Sequence, residues 1–321
     1  MSQQTRLEVV AEYFLRWMDR FPTVESLAAA DEDSVLAVWQ GLGYYRRCKS
    51  LRLAAAIVAR EGFPTDKAGW QKLPGIGDYT SGAIASIVSG ERVTAVDGNV
   101  QRVYARYHAD SSHKLKKAAD SWCQELLAEA SPGDLNQALM ELGATVCRPL
   151  SPSCSECPLE FDCEACATGD QEAYPARAKR PPMKEVRLRV LVPRCAGRYG
   201  LRKITDGPWW VGMYGFPTLT SDEYSADWPS MPLISIGEHR HTVTNHRLIF
   251  QAWVCEFPRA DDRFMWVTEE ELQAVALPSP FRAIARSAQT TLADTVEGDS
   301  DDHDMRKNSV GCTSRPSSAR K

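Results

Sequence analysis

Four cysteines stand close together in CRPLSPSCSECPLEFDC: Cys147, Cys154, Cys157 and Cys163, with gaps of six, two and five residues. At this density unligated thiols are a poor explanation, and in a reducing compartment such a cluster is a metal site rather than a disulfide framework. Four thiolates on a compact loop can hold a tetrahedral zinc ion or a 4Fe–4S cube. Zinc sites usually show two CxxC knuckles. These four residues make one knuckle between two longer gaps, which suits the spread ligand directions of a cube better. Cys166 reads as a spare thiol.

A carboxylate supplies the second candidate. In TAVDGNVQRVYARY, Asp97 lies just before a helix expected to start near Val100. A capping role is a sufficient reason for an Asp there. The same geometry keeps a carboxylate ionised through the helix dipole and the first amides. It could then stabilise a cation that develops during a reaction, with Asn99 orienting it. Upstream, LPGIGDYTSGAIAS places Gly75 and Gly77 between two helices. Glycines there permit positive φ and close approach by another backbone, and amides at the mouth of the next helix can meet a phosphate. Such a hairpin grips one DNA strand without reading sequence. A tight turn required only for helix packing explains the pentapeptide equally well.

The elements that must position these groups follow from patterning. The chain has 321 residues, 43% hydrophobic and 25% charged, which predicts two soluble domains. No apolar run is long enough to span a bilayer, and the start carries no secretory signal. A net charge of −4 excludes a polycation. Basic character is local, at HKLKK (113–117) and between Arg177 and Arg189. Leu7, Val10, Phe14, Trp17 and Phe21 form the stripe of a first amphipathic helix. Helical patterning continues through residues 1–146, broken at FPT, GLGYY, LPGIG and VDGN, and predicts an all-α domain. The cysteine loop, 147–166, closes it. A basic, Pro-rich linker is expected over 167–185. Beyond it the period becomes two, at Val186, Leu188, Val190 and Val192 and at Leu248, Phe250, Ala252 and Val254. This predicts a strand-rich domain over 186–289 with helices near 268–275 and 279–288. The tail, 290–321, has little to bury and is expected to be disordered. The fold class is therefore α+β multidomain.

Taken together, LPGIGDYTSGA, VDGNVQRV, DLNQALMELGATVC and the cysteine loop resemble the helix-hairpin-helix DNA glycosylases that carry an iron–sulfur cluster. QQTR at 3–6 and GLGYYRR at 41–47 narrow the resemblance to the adenine DNA glycosylases of the MutY type. It is close over 1–166 and weaker over 186–290, where WWVGMYGFP and HRHTVTNHRL resemble that family's Nudix-like domain. The resemblance implies a monofunctional base-excision-repair enzyme that hydrolyses the N-glycosidic bond of adenine mispaired with 8-oxoguanine or guanine in double-stranded DNA. It implies a 4Fe–4S cluster on Cys147, Cys154, Cys157 and Cys163. The protein would be monomeric, bacterial, cytoplasmic and nucleoid-associated.

Residue by residue, the resemblance gives Asp97 the stabilisation of an oxocarbenium-like sugar, supported by Tyr79 and Asn99. Gln137 would line the pocket for the flipped adenine. Gln4, Leu42 and Tyr44 would wedge into the duplex, the last two on a loop tip exposed by its glycines, and Thr5 would bind substrate beside Gln4. Gly75 and Gly77 would meet the DNA backbone. Tyr79 stands where the endonuclease III branch carries a Schiff-base lysine, and tyrosine cannot do that chemistry. Two features depart from the family. Its general-acid glutamate would fall upstream of Met1, so the chain as written is expected to be impaired, either because the natural start lies upstream or because the chain is defective. The loop that reads 8-oxoguanine, commonly Phe-Ser-His, is here Val243, Thr244 and Asn245 followed by His246. The Glu-rich Nudix signature is missing, which argues against pyrophosphate hydrolysis. Competing readings are a non-catalytic lesion-binding protein, an endonuclease III-like lyase and a zinc-bound module.

Overall fold

The computed structural model describes residues 1, 5, 7–176, 181–220 and 232–291. Gln4 and the tail from 292 lie outside them. The chain divides into two compact units, one of residues 1–35 and 44–180, the other of residues 36–43 and 181 onward.

The first unit is helical, and among its described residues there is no strand. Its elements are α1 (Leu7–Arg20), α2 (Val24–Ala29), the first half of α3 (Glu32–Trp39), α4 (Tyr45–Glu61), α5 (Lys67–Gln71), α6 (Asp78–Val88), α7 (Gly98–Tyr107), α8 (Leu115–Leu126), α9 (Pro132–Glu141) and α10 (Glu164–Thr168). Polar starts fix several of them. Thr23 and Ser26 close a capping box on α2, and Asp66 caps α5 through the Gly69 amide. The stripe of α1 holds at Val10, Trp17 and Phe21, which are buried. Phe14, at its edge, is half exposed, against expectation. Among the described residues, two apolar clusters tie these helices together. Ala54, Val58, Trp70, Leu73 and Ala85 join α4, α5 and α6. Val96, Val100, Val103, Ala119, Cys123 and Leu139 join α7, α8 and α9.

The expected linker starts later than its composition predicts. Residues 171–173 form a 3₁₀ turn. The carbonyls of Gln171 and Tyr174 accept hydrogen bonds from the Arg106 side chain, which builds this stretch into the first unit. Residues 177–180 lie outside the described residues, and the first strand has begun by Lys184.

The second unit is a mixed sheet of β1 (Lys184–Cys195), β2 (Arg198–Lys203), β3 (Tyr214–Gly215), β4 (Thr218–Thr220), β5 (Ile234–Val243), β6 (His246–Glu256) and β7 (Met265–Val267). The order is β3-β2-β1-β6-β5, with β4 on β1 and β7 on β2. β1 and β6 run parallel, and their alternating residues bury Leu188, Val190 and Val192 beside Leu248, Phe250, Ala252 and Val254. α11 (Glu269–Ala274) starts from a Thr268–Glu271 capping box. A last helix over 279–291 covers one sheet face with Phe281, Ile284, Ala285 and Ala288. The segment 36–43 belongs to this unit through Gln40, which donates to Leu277 O at 2.7 Å and accepts from Arg282 at 2.8 Å.

Candidate active site and cysteine loop

Asp97 is the N-cap of α7. Its Oδ1 accepts the Asn99 and Val100 amides at 2.8 and 2.9 Å, and its Oδ2 accepts Asn99 Nδ2 at 3.0 Å. A carboxylate offers about four lone-pair positions. The three bonds leave Oδ2 able to take one further contact. The cap therefore fixes the orientation of the carboxylate without saturating it.

The surrounding backbone is held by residues that sequence reasoning did not single out. A Cβ on Gly82 would lie 2.2 Å from Thr94 O, so only glycine lets the 94–97 segment run against α6. Asn136, 1% exposed, donates to Val93 O and accepts from Ala95 N, both at 2.9 Å. It does for this extended segment what a neighbouring strand would do. A Cβ on Gly143 would meet Asn99 Cβ at 2.6 Å. Gly143 lies in a π-helical turn, Leu142–Val146, that carries α9 into the cysteine loop. The signals existed, as a buried-face Asn and glycines inside helical patterns, but their meaning depends on which segment packs opposite.

Tyr79, near the start of α6, donates its hydroxyl to Met140 Sδ at 2.8 Å. Burial first, and then the charge of Asp97, raise its pKa, so it stays neutral beside the carboxylate. Arg102 links this site to the loop. It donates to Asn99 Oδ1 at 2.8 Å, to Gly143 O at 2.6 Å and, through Nε, to Cys147 O at 2.8 Å.

Gly75 has φ +79, and a Cβ there would strike Ser50 on α4. Gly77 does not use the conformational freedom expected of it. It is extended, at φ −94 and ψ −177, and caps α6 with open space beside it. The basic stretch 113–117 is partly neutralised, because Lys116 pairs with Asp78 at 3.0 Å, as Lys67 does at 2.9 Å. Gln137 is exposed and donates to Gly133 O within its own helix.

Thr5 and Tyr44, expected at the substrate, are brought together by Arg47, which donates to Thr5 Oγ1 at 3.0 Å and stacks 4.7 Å over the Tyr44 ring. Tyr44 is 48% exposed and left-handed at φ 48. Leu42, expected on an exposed tip, is buried at 5%. Its loop folds back onto Trp39, whose Nε1 donates to Gly43 O at 2.9 Å.

Cys147, Cys154, Cys157 and Cys163 line one small cavity, together with Cys166 and Arg106. Cys163 and Cys166 also stand in CxxC spacing, so the loop holds two such pairs where one was expected. Among the described residues, however, no three His, Cys, Asp or Glu side chains form a group suited to a single ion. Burial, and then the other thiols, push Cys154 up to about 11. A bound cationic centre would offset that cost of ionisation. Arg106, 2% exposed, donates to the carbonyls of Gln171, Tyr174, Arg148 and Pro149 and to Cys147 Sγ at 3.4 Å. A buried guanidinium among carbonyls calls for an anion nearby, and thiolate ligands would supply it.

In the second unit the β5–β6 turn carries the expected reader residues. Thr244 is exposed at the tip with φ 51, a left-handed conformation that a β-branched residue rarely adopts. The Asn245 carbonyl accepts the Lys184 amide at 2.8 Å. The His246 ring stands edge-on to Trp209 at 5.3 Å.

Residues 1–138 match the family described as HhH-GPD superfamily base excision DNA repair protein, and residues 189–287 match the NUDIX domain. The human adenine DNA glycosylase is 30% identical over 93% of this chain and 68% of its own length. The fission yeast adenine DNA glycosylase is 44% identical over 51% of this chain and 38% of its own. A solved thermostable thymine-DNA glycosylase superposes with a TM-score of 0.47 and 23% identity, over 52% of this chain and 80% of that one. Helical unit, cysteine loop and Nudix-like unit thus occur in one chain with the carboxylate at a helix start, and the chain belongs to the adenine DNA glycosylase family, enzymes of base-excision repair.

Proposed function

We propose that the protein hydrolyses the N-glycosidic bond of adenine mispaired with 8-oxoguanine or guanine, without cutting the strand. The observation that carries this reading is the held carboxylate. Asp97 is oriented by two amides and Asn99, keeps Oδ2 available, and has a neutral Tyr79 beside it. As the purine departs, positive charge develops on the deoxyribose. A preoriented anion stabilises that charge with little reorganisation. Water then completes the substitution at the sugar carbon. Tyr79 offers no amine, so no Schiff base forms. Gln137, exposed on α9, would meet the flipped adenine. Gln4, Leu42 and Tyr44 would enter the duplex, Leu42 only after leaving its buried site, and Thr5 would bind substrate beside them. Gly75 and Gly77 would approach the backbone.

Cys147, Cys154, Cys157 and Cys163 would hold a 4Fe–4S cluster. It supplies a rigid crosslink for the loop, to which Asn99 is tied through Arg102. In the second unit we assign the reading of 8-oxoguanine to Thr244, the exposed and strained residue of the turn. Asn245 and His246 support it, one through its carbonyl and the other against Trp209.

The test is single-turnover excision from duplexes that place adenine opposite 8-oxoguanine, guanine or thymine, with borohydride added in parallel. The reading expects fastest release opposite 8-oxoguanine and no trapped adduct. Equal release opposite thymine, or a trapped covalent complex, refutes it. Thr244→Ala should narrow the preference for 8-oxoguanine over guanine while leaving release opposite guanine near its original rate.

A further inference from the structure

One face of α9 meets the segment that carries Asp97. Asn136 bonds Val93 O and Ala95 N, and Gly143, just past the helix end, lies against Asn99. Met140 stands between them at spacings of four and three, which puts it on the same face. It is half-buried and packs on the cluster that holds Val96 and Val100, on either side of Asp97. Its sulfur meets α6 there, where the Tyr79 hydroxyl donates to Met140 Sδ at 2.8 Å. A tyrosine hydroxyl has one proton to give, and a thioether is a weak acceptor. The proton goes to sulfur although the charge of Asp97 is close enough to act on Tyr79. Among the described residues, Asp97 accepts its side-chain bonds from Asn99 and Val100 and none from Tyr79.

We propose that Met140 is a positioning residue of the excision reaction: its sulfur keeps the Tyr79 proton turned away from Asp97, so the carboxylate meets the sugar with its charge undivided. The inference rests on the reading of Asp97 as the group that steadies the developing cation. A donor at the position left open on Oδ2 would stabilise the anion before the reaction starts. That bond weakens as the positive sugar neutralises the carboxylate, so it favours the ground state over the transition state and raises the barrier. Sulfur and carboxylate thus compete for one proton, and the sulfur holds it by position rather than by strength. Without the sulfur the hydroxyl loses its acceptor, which is costly for a half-buried group. Rotation of the side chain towards Oδ2 then gives it a charge-assisted bond.

Met140→Leu keeps the volume of the side chain and removes the acceptor. A hydrogen bond to a charged group shifts an equilibrium by about tenfold or more. Single-turnover adenine release opposite 8-oxoguanine should therefore slow by about tenfold, with the Tm held within a few degrees. In a Tyr79→Phe background, which has no hydroxyl to turn, the same substitution should change the rate by less than about twofold. A packing role for Met140 predicts equal slowing in both backgrounds. That result overturns the proposal, and so does a Met140→Leu protein that is not slowed. The hydrogen bond has a readout of its own. A sulfur lone pair engaged by a donor is less open to peroxide. Brief peroxide treatment, mapped by mass spectrometry, should convert Met140 to its sulfoxide several-fold faster in Tyr79→Phe than in the unsubstituted protein, with the exposed Met18 as internal standard. Equal oxidation rates overturn the proposal, and they decide alone if Met140→Leu does not fold. An unsubstituted protein that releases no adenine refutes the reading of Asp97 and with it the role of Met140, while the oxidation rates still show whether the sulfur holds the hydroxyl.

Discussion

Asp97→Asn separates charge from structure at the candidate active site. Asn is as good an N-cap as Asp, and its Oδ1 can keep the Asn99 and Val100 amides. What is lost is the bond from Asn99 Nδ2, because an amide nitrogen would now face it. One such bond is worth about 1 kcal/mol, or roughly 2–4 °C in the Tm of a unit this size. The electrostatic loss is larger. Unit charges about 4 Å apart interact by about 4 kcal/mol at an effective dielectric of about 20. Removing that from the transition state slows excision by about 10³-fold. The assay is single-turnover adenine release, with thermal melting on the same preparations. A rate within about threefold of the unsubstituted protein, less than about 1 kcal/mol of barrier, refutes the charge argument. A Tm loss far beyond a few degrees shows that Asp97 acts chiefly as a cap.

Gly143→Ala places a methyl 2.6 Å from Asn99 Cβ. Overpacking of this kind costs about 1–3 kcal/mol, so thermal melting should show a lower Tm and the same single-turnover assay a slower release. Asn136→Ala strips the partner from Val93 O and Ala95 N. At about 1–3 kcal/mol for each group left unpaired, the urea midpoint should fall and excision with it. Burial pushes the Cys48 and Cys123 thiols up to about 12. Native alkylation at pH 8 should spare both, and unfolding should expose them. Their folded pKa lies above the unfolded value of about 8.5. The stability they contribute is therefore full below that value and is lost as pH rises towards 12, which melts between pH 8 and pH 11 will show as a falling Tm.

Much of the fold is legible in the sequence because it rests on local chemistry. The period of two at Val186 to Val192 marks β1, the Asp before Gly98 marks the start of α7, and the four close cysteines mark a loop that gathers them around one cavity. These signals need only the residue and its near neighbours, and so does the absence of a lysine at Tyr79.

Tertiary structure decided what depends on the segment packed opposite. Gly82, Asn136 and Gly143 are ordinary helical residues until the 93–99 segment lies against them. Leu42 departs from expectation for the same reason: glycines beside an apolar residue permit an exposed tip, and only Trp39 shows that the loop folds inward. Cys166 reads as spare because spacing counts residues along the chain, whereas the fold sets it in the lining of the same cavity as the other four. Periodicity reports how a residue relates to its own element. Which groups share a site is set by contacts between distant elements, and those exist only in the folded chain.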